Sequence, residues 1–452
     1  MDIALLIQRC IDELPSIELS QKPRKVVLAY SGGVDSEILA QGLSLFAKQQ
    51  PQFEYQLLHV HHGLSANANS WALHCQEQAA KYQLPCSVAH VEVKQAPRVS
   101  VEAAARSVRY QALLAQMDAA DILMTAHHQD DQLETILLAL KRGLGPKGLS
   151  AMGRVQPFDK DKWLIRPLLD MKKTEVEAYA MKHHITHIQD ESNFDEKYDR
   201  NFLRQSIIPA LKQRWSAIAA TASRSAELCA MQQSVVDEEM ATRLPSIQSR
   251  QEGELVIELT ALAEHSTAWQ ALLLRGHMEQ LGFAPPSKVQ VEQILSQLLD
   301  AKADANIDIK LADVVIKRFK GAGYFLTLTK EAPLSNIRVS SIDEILVQGI
   351  NCGTGKRVNA SLDLGTGVRL PHANEKVTIE FALPGSTRCQ PHNRNKGREL
   401  KKLWQEFAVA PWARAKVPLL CYNGKLVCAI GYWNEKAYLC SESEQGLSFT
   451  AN

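Results

Sequence analysis

The residue types with the most chemistry in them lie near the start of the chain. Ser31-Gly32-Gly33-Val34-Asp35-Ser36 follows a β-rich run at 25–30 and precedes a helical run at 37–43. Two glycines let backbone N–H groups approach a ligand closely, and a helix N-terminus comes directly after them, so the segment is an anion cradle. Ser31 and Ser36 add hydroxyl donors. Asp35, an acid inside an anion site, makes sense as the holder of a Mg²⁺ that phosphates carry with them. The loop lacks the Lys of the Gly-x4-Gly-Lys-[Ser/Thr] pattern and is therefore not the usual P-loop. A glycine turn with a Ser/Asp helix cap is the plainer reading, and the strand–turn–helix context argues against it.

Three further clusters fall at strand ends. His59-Val60-His61-His62-Gly63-Leu64 closes the second predicted strand and is expected to face a nucleotide, since open α/β sheets bind ligands at their carboxyl edge. Capping within the loop is the alternative. Thr125-Ala126-His127-His128-Gln129-Asp130-Asp131-Gln132-Leu133-Glu134-Thr135 closes the fourth strand and opens a helix. Helical spacing puts Asp130 and Asp131 beside Glu134, a carboxylate cluster suited to Mg²⁺ or a substrate ammonium; favourable acids in a first helical turn are the alternative. Arg106 and Arg109, three apart on a helix, either contact phosphates or are solvated. Arg200 and Arg204, one turn apart, either neutralise phosphate or grip a nucleic acid, or else pair with Asp190 or Asp199.

These clusters need a scaffold. Strand-like runs at 25–30, 55–60, 87–93 and 121–125 alternate with helical runs at 36–48, 70–82, 101–117 and 132–142, which indicates βαβ units and a parallel sheet covered on both faces. Ile3, Leu6, Ile7, Cys10 and Leu14 mark an amphipathic first helix. Residues 215–244, free of Gly and Pro, predict a long linking helix. Helices at 266–281 and 287–299 place a small domain at about 250–335. Strands at 376–381, 426–430 and 437–439 with a helix near 398–407 place an α+β domain at 345–452. The fold class is thus α/β, with a parallel-sheet domain at 1–215, a helical linker at 216–249, a middle domain and a C-terminal domain.

Composition excludes other classes. At 452 residues the chain calls for two to four domains on a prior of roughly 150 each. It has no apolar run approaching the ~20 residues that span a bilayer, and Asp2, Asp12 and Glu13 break any secretory signal. The nine scattered cysteines form no Cys-x-x-Cys pair, which fits reduced thiols in a cytoplasm and excludes a zinc or iron–sulfur signature. Net charge is only +1, yet residues 384–418 alone carry +6, leaving −5 for the rest. That local patch, with Trp404 and Trp412 interleaved, suits RNA phosphates and base stacking; a solvated basic face over two core tryptophans is the alternative.

The Ser31–Ser36 loop resembles that of the PP-loop ATP pyrophosphatase superfamily, of the adenine nucleotide alpha hydrolase-like fold. The segments 128–134, Arg142-Gly143-Leu144-Gly145, Arg166-Pro167-Leu168-Leu169, Asp190-Glu191-Ser192-Asn193 and Arg200-Asn201-Phe202-Leu203-Arg204 resemble the lysidine synthetases specifically. So do Arg398-Glu399-Leu400-Lys401-Lys402, Pro411-Trp412 and Arg414. Two departures stand out: Pro146-Lys147 in the glycine turn, where Leu-Arg is expected, and Ser386-Thr387-Arg388-Cys389-Gln390 in the C-terminal entry. The resemblance implies ATP and Mg²⁺ as cofactors and free L-lysine and an isoleucine tRNA with a CAU anticodon as substrates. It implies adenylation of the wobble cytidine and replacement of its C2 oxygen by lysine, which moves codon reading from AUG to AUA. Ser31, Gly32, Gly33, Val34, Asp35, Ser36, His62 and His127 would bind the nucleotide, Asp35 and Asp130 the metal. Asp35, Asp130, Asp131, Glu134, Arg200 and Arg204 would carry the catalysis. The middle and C-terminal domains would bind tRNA, the latter through Arg398, Lys401, Lys402, Trp412 and Arg414. A PP-loop thiolase would depend on cysteines, and a passive nucleotide-sensing RNA-binding protein would bind without turnover. No membrane partner is expected, and a homodimer is compatible with all of this.

Overall fold

The structure, a computed structural model, describes residues 2–15, 23–63, 65–93, 101–159, 161–251, 253–302, 305, 307–328, 334–353 and 357–451. Leu64 and the side chains of Val101, Glu102, Ala103, Ser192 and Phe194 lie outside the described set. The chain divides into two compact units, Met1–Ala241 and Thr242–Asn452. No described helix is long and apolar enough to cross a membrane.

In the first unit the elements run α1 (Ile3–Asp12), β1 (Lys25–Ala29), α2 (Val34–Gln49), β2 (Glu54–His61), α3 (Ala68–Tyr82), β3 (Cys86–His90), α4 (Val101–Leu114), β4 (Ile122–Met124) and α5 (Gln129–Lys141). They continue with α6 (Pro146–Leu149), β5 (Val155–Phe158), β6 (Lys162–Ile165), α7 (Lys173–Lys182), α8 (Asp199–Phe202), a π-helical turn at Leu203–Ile207, α9 (Ile208–Arg214) and α10 (Ile218–Ser246). The sheet order is β3-β2-β1-β4-β6-β5, parallel except for β5 against β6. β1, Lys-Val-Val-Leu-Ala, is apolar on both sides because both faces of a central parallel strand are covered. Val26, Leu28, Leu57, Ile122 and Met124 share one core with residues of α1, α2, α3 and α7. Val27, Leu58, Leu123 and Leu164 share the other with Leu113 of α4. From β1 the chain steps outward to β2 and then returns to place β4 on the opposite side. The gap between β1 and β4 is therefore the topological switch point, where open α/β sheets bind ligands.

α1 carries Ile3, Ala4, Ile7 and Cys10 on its buried face, capped by Asp2, whose Oδ1 accepts from Leu5 N at 3.3 Å. It lies close on α2 at Gly42, where a Cβ would collide with Ile3.

The second unit is mainly antiparallel. One five-stranded sheet joins Gln248–Gln251, Glu254–Glu258, Ala322–Thr327, Val314–Phe319 and Asp308–Lys310, with helices Thr267–Gln280 and Lys288–Leu299 inserted in the connection. Ser266 and Ser287 cap those helices through their hydroxyls. A second five-stranded sheet includes Val377–Glu380, Leu419–Tyr422 and Lys425–Ala429, and a four-stranded sheet pairs Arg357–Leu364 with Gln445–Ala451. The strand expected at 437–439 is instead a 3₁₀ turn, Lys436–Tyr438. Its geometry is set by Glu435, whose carboxylate accepts from Gln390 N at 2.6 Å and Trp433 Nε1 at 2.8 Å and so turns the chain.

Candidate active site at the sheet switch point

After β1 the backbone takes φ +80° at Gly32, and a Cβ there would strike Ile188 and come within 3.0 Å of Cys75 Sγ. Only glycine meets both conditions. Gly33 is the N-cap of α2 and offers no side-chain acceptor, so phosphate oxygens can accept from the first-turn N–H groups. The motif closes on itself: Ser31 Oγ accepts from Gly33 N at 3.3 Å and lies 3.1 Å from Ser36 Oγ, which donates to Gly33 O at 2.9 Å. Val34 opens the helix.

Asp35 Oδ1 is buried without a hydrogen-bond partner among the described residues and stands 3.9 Å from His128 Nε2. Burial pushes its carboxyl above the ordinary range, against the pull of His128. A bare carboxylate oxygen beside an anion cradle fits a hard cation shared with phosphates. Among the described residues no three His, Cys, Asp or Glu side chains converge as a metal cage, so such an ion would take its other ligands from phosphate and water.

Across the switch point, His128 caps α5. Its Nδ1 accepts from Asp130 N at 3.2 Å while its own N–H donates to Asp131 Oδ2 at 2.9 Å, a reciprocal capping box. Because an amide can only donate, Nδ1 must be the acceptor, and Nε2 carries its proton on the side of Asp35. His127 donates or accepts at Thr125 Oγ1, 2.9 Å away. Burial pushes it down to about 3; Asp131 opposes that shift, while Arg166, Arg106 and Arg200 add to it. It is an uncharged imidazole at neutral pH.

The carboxylates do converge, and each already faces a cation. Arg204 Nε donates to Glu134 Oε1 at 2.5 Å and its NH2 to Asp131 Oδ1 at 2.9 Å; Arg200 NH1 lies 3.9 Å from Glu134 Oε2. Lys212 Nζ donates to Asp130 Oδ2 at 2.5 Å. Burial raises Asp131, yet Arg204 and the hydrogen bond from the His128 amide hold it below the ordinary range. Glu134 stays raised, because burial outweighs Arg204. The partner of Arg204 is thus neither Asp190 nor Asp199, and Asp199 pairs with Lys141 at 2.6 Å. Lys212 escapes a reading by local motifs because Asp130 is 82 residues away. Helical periodicity does not find it either, because a regular α-helix is about 120° out of phase after twelve residues and a π-helical turn at Leu203–Ile207 intervenes between Arg200 and Lys212.

The histidines after β2 split in role. His59 is buried, its Nδ1 donating to Tyr30 O at 3.0 Å and lying 3.4 Å from Cys75 Sγ, so it braces the loop from behind and does not face a ligand. His61 bonds Asn69 Oδ1 at 3.0 Å and packs on His90. His62 is half-buried, and burial lowers its pKa against the pull of Asp190. Arg106 and Arg109 both lie over the Tyr110 ring. Arg166 is buried and donates to Gly153 O at 2.6 Å and Gln156 Oε1 at 2.9 Å; burial brings it down to about 10.

In the second unit the basic patch is laced with its own acids. Arg394 and Arg398 both pair with Glu406, and Lys401 and Lys402 stand 3.3 Å and 3.9 Å from Glu399. Lys401 and Lys402 are more than half exposed, at 59% and 52%. Arg414 Nε donates to Val409 O at 3.2 Å. Trp404 is buried in the core with Trp433 and Phe407 alongside, so its expected stacking role gives way to packing. Trp412 is half-buried and packs edge-on against Phe319 and Tyr324, with Lys317 over its ring.

Residues 6–211 match the PP-loop domain family, residues 258–324 the TilS substrate binding domain and residues 377–450 the TilS substrate C-terminal domain. Among curated proteins, the tRNA(Ile)-lysidine synthase of Shewanella woodyi is 56% identical over 94% of this chain and 92% of its own length. That of Shewanella oneidensis is 51% identical over 99% and 98%. That of Escherichia coli O157:H7 is 37% identical over 94% and 96%.

Proposed function

This chain belongs to the tRNA(Ile)-lysidine synthases, and from that membership we propose which of its residues carry each part of the ligation. It is a ligase with a PP-loop ATP-binding domain, and it joins L-lysine to the wobble cytidine of an isoleucine tRNA with a CAU anticodon at the expense of ATP. The observation that carries the residue assignment is the meeting, at one switch point, of an anion cradle with a buried acidic cluster.

The C2 oxygen of cytidine is a poor leaving group. Transfer of AMP to it makes a phosphate-ester leaving group and releases pyrophosphate. Ser31, Gly32, Gly33 and Ser36 hold the β- and γ-phosphates, and Val34 sets the first turn of the helix beneath them. Asp35 would hold Mg²⁺, with Asp130 as a second carboxylate once Lys212 moves; bound there, the ion neutralises developing charge on the phosphates. His62 and His127 border the nucleotide, His127 as an uncharged hydrogen-bonding group. Asp131 and Glu134 receive the lysine ammonium. Their pairing with Arg204 supports this reading, since two carboxylates that hold one side-chain cation can accept another positive group when it is displaced. Glu134, held above the ordinary carboxylate range, suits taking a proton from the amine as it attacks C2. Arg200 and Arg204 neutralise phosphate when displaced. Arg398, Lys401, Lys402, Trp412 and Arg414 contact the tRNA, with the middle domain at 250–335 sharing that task with the C-terminal domain at 345–452.

The test is nucleoside mass spectrometry of isoleucine tRNA with a CAU anticodon after incubation with the protein, ATP, Mg²⁺ and labelled lysine. A labelled lysine adduct on cytidine is expected. Sulfur incorporation, or pyrophosphate release without an adduct, would overturn the reading.

A further inference from the structure

Glu37, the residue after the phosphate loop, has no role in the chemistry above, yet it is completely buried (0% exposed). A carboxyl in that position is rare unless it is fully partnered. Here it has three partners on two segments, the end of β1 and α3. Tyr30, the last residue before Ser31, donates its hydroxyl to Oε1 at 2.6 Å; Tyr82, at the end of α3, donates to Oε2 at 3.0 Å; His74 of α3 places Nε2 3.2 Å from Oε1. The Glu37 amide donates to Gly33 O at 3.0 Å, inside the loop itself.

Tyr30 is held at every polar atom. Its amide donates to Leu58 O at 2.9 Å, its carbonyl accepts from His59 and its hydroxyl is bound by Glu37. α3 also presses Cys75 against Gly32 and receives Ser44 Oγ of α2 on Tyr82 O at 2.6 Å. The entry to the loop at Tyr30, the first turn of α2 and α3 are thus tied to one another through a single carboxyl group, and the Glu37 amide adds the bond to Gly33. An apolar side chain of similar volume would fill this space without the cost of burying a carboxylate, so what the carboxyl adds is direction.

We propose that Glu37 is a positioning residue for ATP, fixing the phosphate loop between Tyr30 and α3 so that its N–H groups meet the phosphates already oriented. The proposal rests on the ATP-dependent ligation given above. Hydrogen bonds to phosphate fall off steeply with misalignment, so loss of the restraint weakens ATP before anything else.

Pyrophosphate release is measured with isoleucine tRNA, first with ATP varied and lysine saturating, then with lysine varied and ATP saturating. Glu37→Gln and Tyr30→Phe are each expected to raise KM for ATP by about threefold to tenfold with KM for lysine unchanged, the size of one net hydrogen bond. Tyr82→Phe should act in the same direction. A purely structural role lowers melting temperature and active fraction with both KM values intact, and that result overturns the proposal, as does an equal rise in both. Should Glu37→Gln fail to fold, Tyr30→Phe and Tyr82→Phe decide, because each removes one hydroxyl and keeps its ring. Wild-type protein that releases no pyrophosphate overturns the ligase reading and this proposal together, whereas normal wild-type turnover with unchanged variants overturns this proposal alone.

Discussion

At the scale of single residues, two side chains make opposite uses of burial. Asp35 keeps a bare oxygen beside the phosphate cradle, and its value lies in the charge it can offer a divalent ion. Asp35→Asn keeps the volume and removes the charge, so it should leave the fold intact while reducing pyrophosphate release by at least about a hundredfold, the scale of a lost electrostatic contact in a transition state. Near-normal turnover would remove Asp35 from the mechanism. His277, in contrast, is a core residue, fully buried against Phe325, with Nδ1 2.7 Å from Gln248 Nε2, and burial pushes its pKa down to about 4. The unfolded chain takes up a proton near pH 6.5 that the folded chain refuses until about 4. Its contribution is therefore present above pH 6.5 and lost as pH falls through that window, by up to about 3 kcal/mol. His277→Gln should flatten this part of the stability profile in denaturant titrations between pH 7 and 4. An unchanged slope would assign the acid lability elsewhere.

At the scale of elements, the β1–loop–α2 unit depends on one glycine more than on any polar residue. Gly32 combines a left-handed φ of +80° with contact to Ile188 and Cys75, so Gly32→Ala should cost about 1–3 kcal/mol in stability from backbone strain alone and weaken ATP binding further by displacing the loop. Thermal unfolding with and without ATP separates the two effects: a variant as stable as wild type and equally stabilised by ATP would refute the steric argument. This element was legible in the chain because its strand, turn and helix are contiguous. The 3₁₀ turn at Lys436–Tyr438 was not, since Glu435 is tied to Gln390, 45 residues away. α10 reads clearly from composition, although it continues past Leu244 to Ser246 and includes Pro245 in its last turn.

At the scale of the molecule, the residues proposed for catalysis and the excess positive charge are separated along the sequence. The switch-point residues all precede residue 215, while the basic patch lies near 400, in the other unit. Arg398, Lys401 and Lys402 are paired with Glu406 and Glu399, but exposed ion pairs are worth only about 0–1 kcal/mol, so tRNA phosphates can compete for them. Neutralising all three should lower tRNA affinity and reduce the slope of log K against log salt by up to about three units, with ATP binding retained. Filter binding across salt concentrations, run beside an ATP-binding assay, measures both. A wild-type affinity and slope would mean that the patch is an ordinary solvated surface.

What the amino-acid sequence determined by itself was everything carried by short-range order. The phosphate loop, the parallel α/β scaffold, the acids at the start of α5 and the C-terminal basic segment all depend on periodicity and turn chemistry within a few residues. What tertiary structure decided was the state of those groups. Whether His59 faces a ligand or braces Tyr30, whether Trp404 stacks or packs, and which cations meet Asp130, Asp131 and Glu134 are set by residues tens of positions away. Glu37 shows the difference most plainly. In the chain it is one more acid in a first helical turn, favourable to the helix dipole. Only when α3 is folded against α2 does it become a buried carboxyl shared by Tyr30, Tyr82 and His74, because hydrogen bonds act over ångströms of space and take no account of distance along the chain.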